Sequence, residues 1–221
     1  MKRSIPAVVL VLLVLTVVGA YSTYWIAKAV FTPVPRLPVT PVQPDARVVK
    51  TVEQRLNDVA GGVSGQPGKT GTVTVTEEEL NTLIATALAE AVKEDPSLPV
   101  KRLVAELGDN RVSAVVTVVA SGQDVLAPLR NRPLDIALEA DARTSGAKVA
   151  FTIASAKFGS LNVLPFLSSL VGQSDPGSLF SYDPATNTFS LDTRAIDFGQ
   201  GYSLSAITVR KDALILTLAG K

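Results

Sequence analysis

The stretch TVTVTEEELNTLIATALAEAV, Thr72–Val92, decides how the chain is read. Its opening alternates, with Val73 and Val75 on one face of a strand and Thr72 and Thr74 on the other. From Thr76 the period becomes that of a helix. Thr76 stands where an N-cap belongs and Glu79 stands three residues on, the spacing of a capping box. Glu77, Glu78 and Glu79 place negative charge at the positive end of the helix dipole. From Leu80 to Val92 the only charged residue is Glu90. At 100° per residue Leu80, Leu83, Ile84, Ala87, Leu88, Ala91 and Val92 spread over about 180°, wider than the ~100° stripe that a helix needs on a flat sheet. Ala85 and Ala89 widen the arc, and Thr82, Thr86, Glu90 and Lys93 form the narrow polar strip that remains. The expectation is a helix covered on most of its circumference by a strongly curved sheet.

Before this stretch, DARVVKTVEQRLNDVA opens at Asp45 and repeats Val48, Val49, Val52, Leu56 and Val59 at helical spacing. GGVSGQPGKTG then breaks the helix. After Pro99 the period is mostly two. VKRLVAEL and RVSAVVTVVAS flank GDN, a hairpin signal. LDIALEADAR alternates Leu134, Ile136, Leu138 and Ala140 against Asp135, Glu139 and Asp141. KVAFTIASAKF, TFSLD, AIDF, SLSAITVR and ALILTLA supply further strands, and SLNVLPFLSSLVG interrupts them as a loop and short helix.

From Ser4 to Ala27 there is no charged residue. Twenty-four residues at 1.5 Å rise exceed the roughly 30 Å of a bilayer core. Lys2 and Arg3 precede this run, which favours the N-terminus inside and the remainder outside. The sequence thus predicts a single-pass protein of the cytoplasmic membrane. A cleaved signal peptide is the competing reading, with small residues at Ala20 and Ala29, although the apolar run exceeds the usual ~7–15 residues. TPVPRLPVTPVQP follows, with prolines at 33, 35, 38, 41 and 44. Such a segment favours polyproline II and reaches at most about 40 Å.

The organisation read from these segments is an anchor over 1–31, a proline-rich linker over 32–44 and an extracytoplasmic domain over 45–221. The fold class expected is α+β: an N-terminal transmembrane helix, then a strongly curved antiparallel meander sheet wrapped around a long apolar helix.

Composition removes several chemistries. The chain of 221 residues has no cysteine and no histidine. Disulfides, Ser-His-Asp and Cys-His constellations and typical zinc sites are therefore excluded. Of 21 basic residues 18 follow residue 31, with all 20 acidic ones, a net charge of −2 that offers no footprint for nucleic acid. Gly68-Lys69-Thr70 matches the end of a phosphate loop, but Val63 stands where its opening glycine belongs. Ser145-Gly146-Ala147-Lys148 and Lys69-Thr70-Gly71 echo motifs of penicillin-binding enzymes in reversed order. Glu77–Glu79 is explained by helix-start electrostatics before cation binding. Arg130 and Arg132 read as a solvated loop before a phosphate contact. NVLPFLSSL, with Val163, Leu164, Phe166 and Leu167 around Pro165, reads as a core plug, a lid or a membrane-dipping loop. No catalytic residue, metal or cofactor is indicated.

At VTEEELNTL, VKRLVAELGDNRV, KFGSLNVLP and ITVRKDALIL, in that order behind an N-terminal apolar segment, the chain resembles the bacterial membrane-anchored proteins of the YpmS and LmeA type. The resemblance covers roughly residues 70–220. It implies an elongated, curved sheet cradling a helix, akin to tubular lipid-binding domains, and phospholipid binding at the outer face of the cytoplasmic membrane. Asn110 and Ala105 depart from its hairpin pattern.

Two functions are expected from different classes. One is a lipid-binding module holding the acyl chains of a phospholipid or other membrane lipid in an apolar groove between helix and sheet. Its candidate contacts are Leu80, Leu83, Ile84, Leu88, Leu164, Phe166 and Leu167, and residues 4–27 would hold it to the membrane. The other is a non-catalytic cell-envelope scaffold with a filled core and a protein partner.

Overall fold

Asp45 starts the first helix as its sequence position suggests. Its carboxylate accepts the Arg47 N–H at 2.8 Å, and α1 runs Ala46–Val63. The computed structural model describes residues 42–98, 100–119, 133–145, 148–158, 161–162, 164, 180–193 and 201–221. On α1, Val52, Ala60 and Val63 are buried, while Val48, Val49, Leu56 and Val59 pack half-buried beside them. β1 (Thr70–Thr76) then passes directly into α2 (Glu77–Glu94). The capping box is complete: the Glu79 N–H donates to Thr76 Oγ1 at 3.2 Å and the Thr76 N–H to Glu79 Oε2 at 3.0 Å. Two orphan donors of the first turn are satisfied in this way.

Strands fill most of the rest. They are β2 (Val100–Gly108), β3 (Arg111–Val119), β4 (Pro133–Ser145), β5 (Lys148–Phe158), β6 (Leu161–Asn162), β7 (Phe180–Asp183), β8 (Thr188–Asp192), β9 (Tyr202–Arg210) and β10 (Ala213–Gly220). The small sheet has the order β1-β10-β9. The large one runs β2-β3-β4-β5-β8-β7, with β6 paired to β5. All the ladders within both sheets are antiparallel.

The inner face of the large sheet follows the period-two pattern. Leu103, Ala105 and Leu107 of β2, Val116 and Val118 of β3, Leu134 and Ile136 of β4, and Val149 and Phe151 of β5 enter the core. In the small sheet Val73, Val75, Leu214, Leu216, Leu218, Ile207 and Val209 do so. β9 packs across β2 to β5 and joins the two sheets into one core. Backbone bonds fasten the corner: the Asn110 N–H donates to Val209 O at 3.1 Å, and the Asp212 N–H donates to Leu107 O at 3.0 Å.

The expected fold class is corrected by this arrangement. The described chain is mostly strand, 55%, with two helices and two separate open antiparallel sheets. No single curved sheet wraps α2. The wide apolar arc of α2 is covered instead by separate elements: α1, the small sheet at β1 and β10, and β2 of the large sheet. Periodicity reported how much of the helix is buried. It did not report how many elements do the burying.

The membrane expectations are corrected as well. Among the described residues no helix is long and apolar enough to cross a membrane. α1 carries Arg47, Lys50, Glu53, Arg55 and Asp58, and α2 carries Glu77, Glu78, Glu79, Glu90, Lys93 and Glu94. That many charges would be costly in a hydrocarbon layer. The transmembrane helix, the signal anchor and the single-pass location therefore find no support. The run 4–27 on which they were read, and the linker up to residue 41, lie outside the described residues.

Candidate functional site

The seven side chains expected to line a groove divide into three sets. Leu80, Leu83, Ile84 and Leu88 lie on α2 with 2%, 6%, 1% and 5% exposure, inside the single core cluster. Leu164 is half-buried and packs on that same cluster. Phe166 and Leu167 lie outside the described residues. The four on α2 are thus buried among protein side chains of the core.

A different apolar surface is left partly open. On the inner face of the large sheet Val112, Ala114, Leu138, Ala140 and Ile153 are half-buried. They are contiguous: Val112 pairs with Ala140 and Ala114 with Leu138, and Ala140 pairs with Ile153 on the next strand. They abut the buried core; among the described residues α2 packs chiefly on β2, and the element that crosses β3, β4 and β5 is β9. Two of the five are alanines, which fill less of the inner layer than the valines and leucines flanking them. The alternation in RVSAVV and LDIALEADA marked this face. Its exposure depends on what lies above it, which local sequence does not state.

Polar groups gather where the β2–β3 turn meets the end of β4. A depression of about 770 Å³ lies there, lined among others by Asp109, Arg111, Asp141, Ala142, Arg143 and Thr144. Arg111 Nε donates to Asp141 Oδ1 at 3.2 Å. The Asp109 carboxylate accepts the Lys211 N–H at 3.2 Å, and the Ala142 N–H donates to Asn110 O at 2.8 Å. Thr144 Oγ1 donates to Ile207 O on β9.

The acidic cluster at the start of α2 is structural. Glu77 Oε2 accepts the Leu107 N–H at 2.7 Å. Glu79 Oε1 accepts from Arg55 Nη2 at 2.6 Å, while Arg55 Nη1 donates to Thr74 O at 3.1 Å. Burial raises the Glu79 carboxyl, but the Arg55 and Thr76 hydrogen bonds and the Arg55 charge outweigh it and hold it below its ordinary value of 4.5. Among the described residues no cluster of acidic side chains is placed to hold a metal ion.

The helix reading overlooked Asn81. It is 5% exposed and engages the backbone of Ala105 on both sides. The signal was available: Asn81 stands three residues before Ile84 and seven before Leu88, on the same helix face. A polar side chain there requires a partner in the core.

No family model, no curated protein and no solved structure matches the chain.

Proposed function

We propose that the domain binds an amphiphilic lipid and holds an acyl chain along the inner face of the large sheet. The observation that carries this reading is the half-open aliphatic strip of Val112, Ala114, Leu138, Ala140 and Ile153. The resemblance to proteins of the YpmS and LmeA type points the same way. Binding would be driven by desolvation of the chain, about 0.8 kcal/mol per CH2 before the costs of association. α2 then acts as the support behind the strip, not as its lining.

The test is native mass spectrometry of the full chain, stripped of detergent and then incubated with phospholipid vesicles. Mass additions equal to phospholipids, lost in Leu138→Asp, support the reading. Circular dichroism of that variant shows whether it is still folded. A bare mass after incubation overturns the reading. The burial of Leu80 and Ile84 favours what would then remain, a non-catalytic scaffold with a filled core that binds a protein partner.

A further inference from the structure

The half-open strip on the large sheet has a definite outline. The ladders set it in two rows that run across the strands. Val112, Ala140 and Ile153 stand side by side on β3, β4 and β5, and Ala114 and Leu138 stand in the next row. Toward the β2–β3 turn the next inner-face pair, Ala142 and Phe151, is buried. β9 crosses the sheet at that end, where the Asn110 N–H donates to Val209 O and the Thr144 hydroxyl to Ile207 O. In the other direction Val116 and Ile136 are buried. On the β2 side the rows end against Leu107 and Ala105, which are buried too.

The β5 side differs. Ala156, opposite Leu138, is buried and closes the second row. The first row ends at Ile153, which is half-buried. β8 pairs with β5 only over 148–152, and the Ile153 N–H donates to Asn187 O in the turn between β7 and β8. The left-handed backbone of Asn187, with φ of +50°, marks the end of that ladder. Ala154, the unpaired residue of the bulge in β5, is exposed beside Ile153. Among the described residues, buried side chains thus border the strip everywhere except at Ile153.

This outline sets a size. Three strands make each row about 10 Å long, and the two rows lie about 7 Å apart along the strands. Building on the lipid reading above, we infer that the strip takes a single acyl chain, tail first from the Ile153 side, and covers about ten of its carbons. Its ligand class is then the single-chain amphiphile. The chain lies across the strands with its end against Leu107 and Ala105 of β2, over the low point that Ala140 makes between Val112 and Ile153. The polar end comes out at the β7–β8 turn. Methylenes beyond the covered length stay in water and add no affinity, and a second chain finds no third row to lie on.

Isothermal titration of the full chain, free of detergent, with lysophosphatidylcholines of increasing acyl length, each below its micelle concentration, tests this. Affinity should rise about fourfold with each added methylene up to about ten carbons and then level off. Dioctanoylphosphatidylcholine should bind no tighter than the lysolipid with one octanoyl chain. Ala140→Leu fills the low point of the strip, and Ala114→Val takes its place if circular dichroism shows the first variant unfolded. Either should weaken the longest probe about tenfold, the worth of two methylenes, and bring the levelling at a shorter chain. A rise that continues undiminished to about fourteen carbons, or a dioctanoyl lipid that gains from its second chain, overturns the single short track and leaves the lipid reading standing. Identical titrations of the unmodified chain and the folded variant overturn the strip as the site. Binding of none of the probes overturns both the track and the lipid reading.

Discussion

Asn81, inside the apolar face of α2, holds both backbone groups of Ala105 on the edge strand β2. Its Nδ2 donates to the Ala105 carbonyl at 2.7 Å and its Oδ1 accepts the Ala105 N–H at 2.8 Å. A side-chain amide thus takes the place of a neighbouring strand. Further along the same edge, Glu77 Oε2 accepts the Leu107 N–H and the Asp212 N–H donates to the Leu107 carbonyl. At Ala105 and Leu107 the edge is closed to pairing with another chain by groups from α2 and the β9–β10 turn.

Removal of this amide should be costly. Asn81→Leu leaves a buried donor and a buried acceptor unpaired, and about 2–4 kcal/mol of stability should be lost. Asn81→Asp should lose a comparable amount at neutral pH, because the carboxylate faces the Ala105 carbonyl with nothing to donate. Urea unfolding measures both as a lower midpoint with an unchanged slope. A loss under about 0.5 kcal/mol in Asn81→Leu would mean that the amide is not needed to close the edge.

Glu79 sets part of the acid sensitivity. Its folded carboxyl titrates below 4.5. A depressed folded value gives stability that is complete above the unfolded value and lost as pH falls through the folded one. Glu79→Gln should therefore be less stable than the unmodified chain near neutrality, and the gap should close below about pH 4.5 as the Glu79 carboxyl becomes protonated first in the unfolded and then in the folded state. Unfolding free energies between pH 7 and 2 check this. A gap independent of pH would assign the loss to packing rather than to ionisation.

Gly71 fixes how closely α1 approaches β1. A Cβ at this position would sit 2.6 Å from Val59 Cγ1 and 3.3 Å from Val63 Cγ1. Gly71→Ala should cost about 1–3 kcal/mol through overpacking. Val59→Ala alone should also destabilise, yet the double variant should be more stable than the two losses summed. A double-mutant cycle measures that coupling, and strict additivity would show that α1 shifts freely to make room.

Asn110 tightens the β2–β3 turn with φ of +55°. Asn110→Gly should preserve the hairpin, whereas Asn110→Val should lose about 1–2 kcal/mol, the cost of left-handed backbone at a residue other than glycine or asparagine. Thermal unfolding of the pair separates them. Equal melting temperatures would mean that the turn relaxes out of this conformation.

What the sequence made legible was local. Thr76 and Glu79, Asp45, the Asp109-Asn110 turn and the alternation in β4, β5, β9 and β10 all mark elements found at those residues. Partnership between distant elements was not marked. Period two tells a strand which side is apolar but not which strand lies beside it, so nothing in TGTVTVT announced β10 as the partner of β1. The arc of α2 showed burial on most of its circumference, and one wrapped sheet or several separate elements satisfy that equally. The lipid contacts were sought on the most apolar helix face for the same reason. Leu80 and Ile84 are so apolar because they are core, whereas the half-open strip is built of smaller residues with a weaker signal.

The pairing of β1 with β10 also orders events in time. Thr76 faces Ala213 and Thr70 faces Ala219. A ribosome adding about 5–20 residues per second needs on the order of ten seconds to make the chain between them. Meanwhile β3, β4 and β5 of the large sheet can each pair with the strand before it in sequence, but the small sheet must wait. Residues 70–76 leave the exit tunnel with the backbone groups that pair with β10 uncovered, their partner not yet translated. The interval before β10 emerges is when the nascent chain offers this strand to a chaperone or to another polypeptide, and a premature stop before residue 213 would make that exposure permanent.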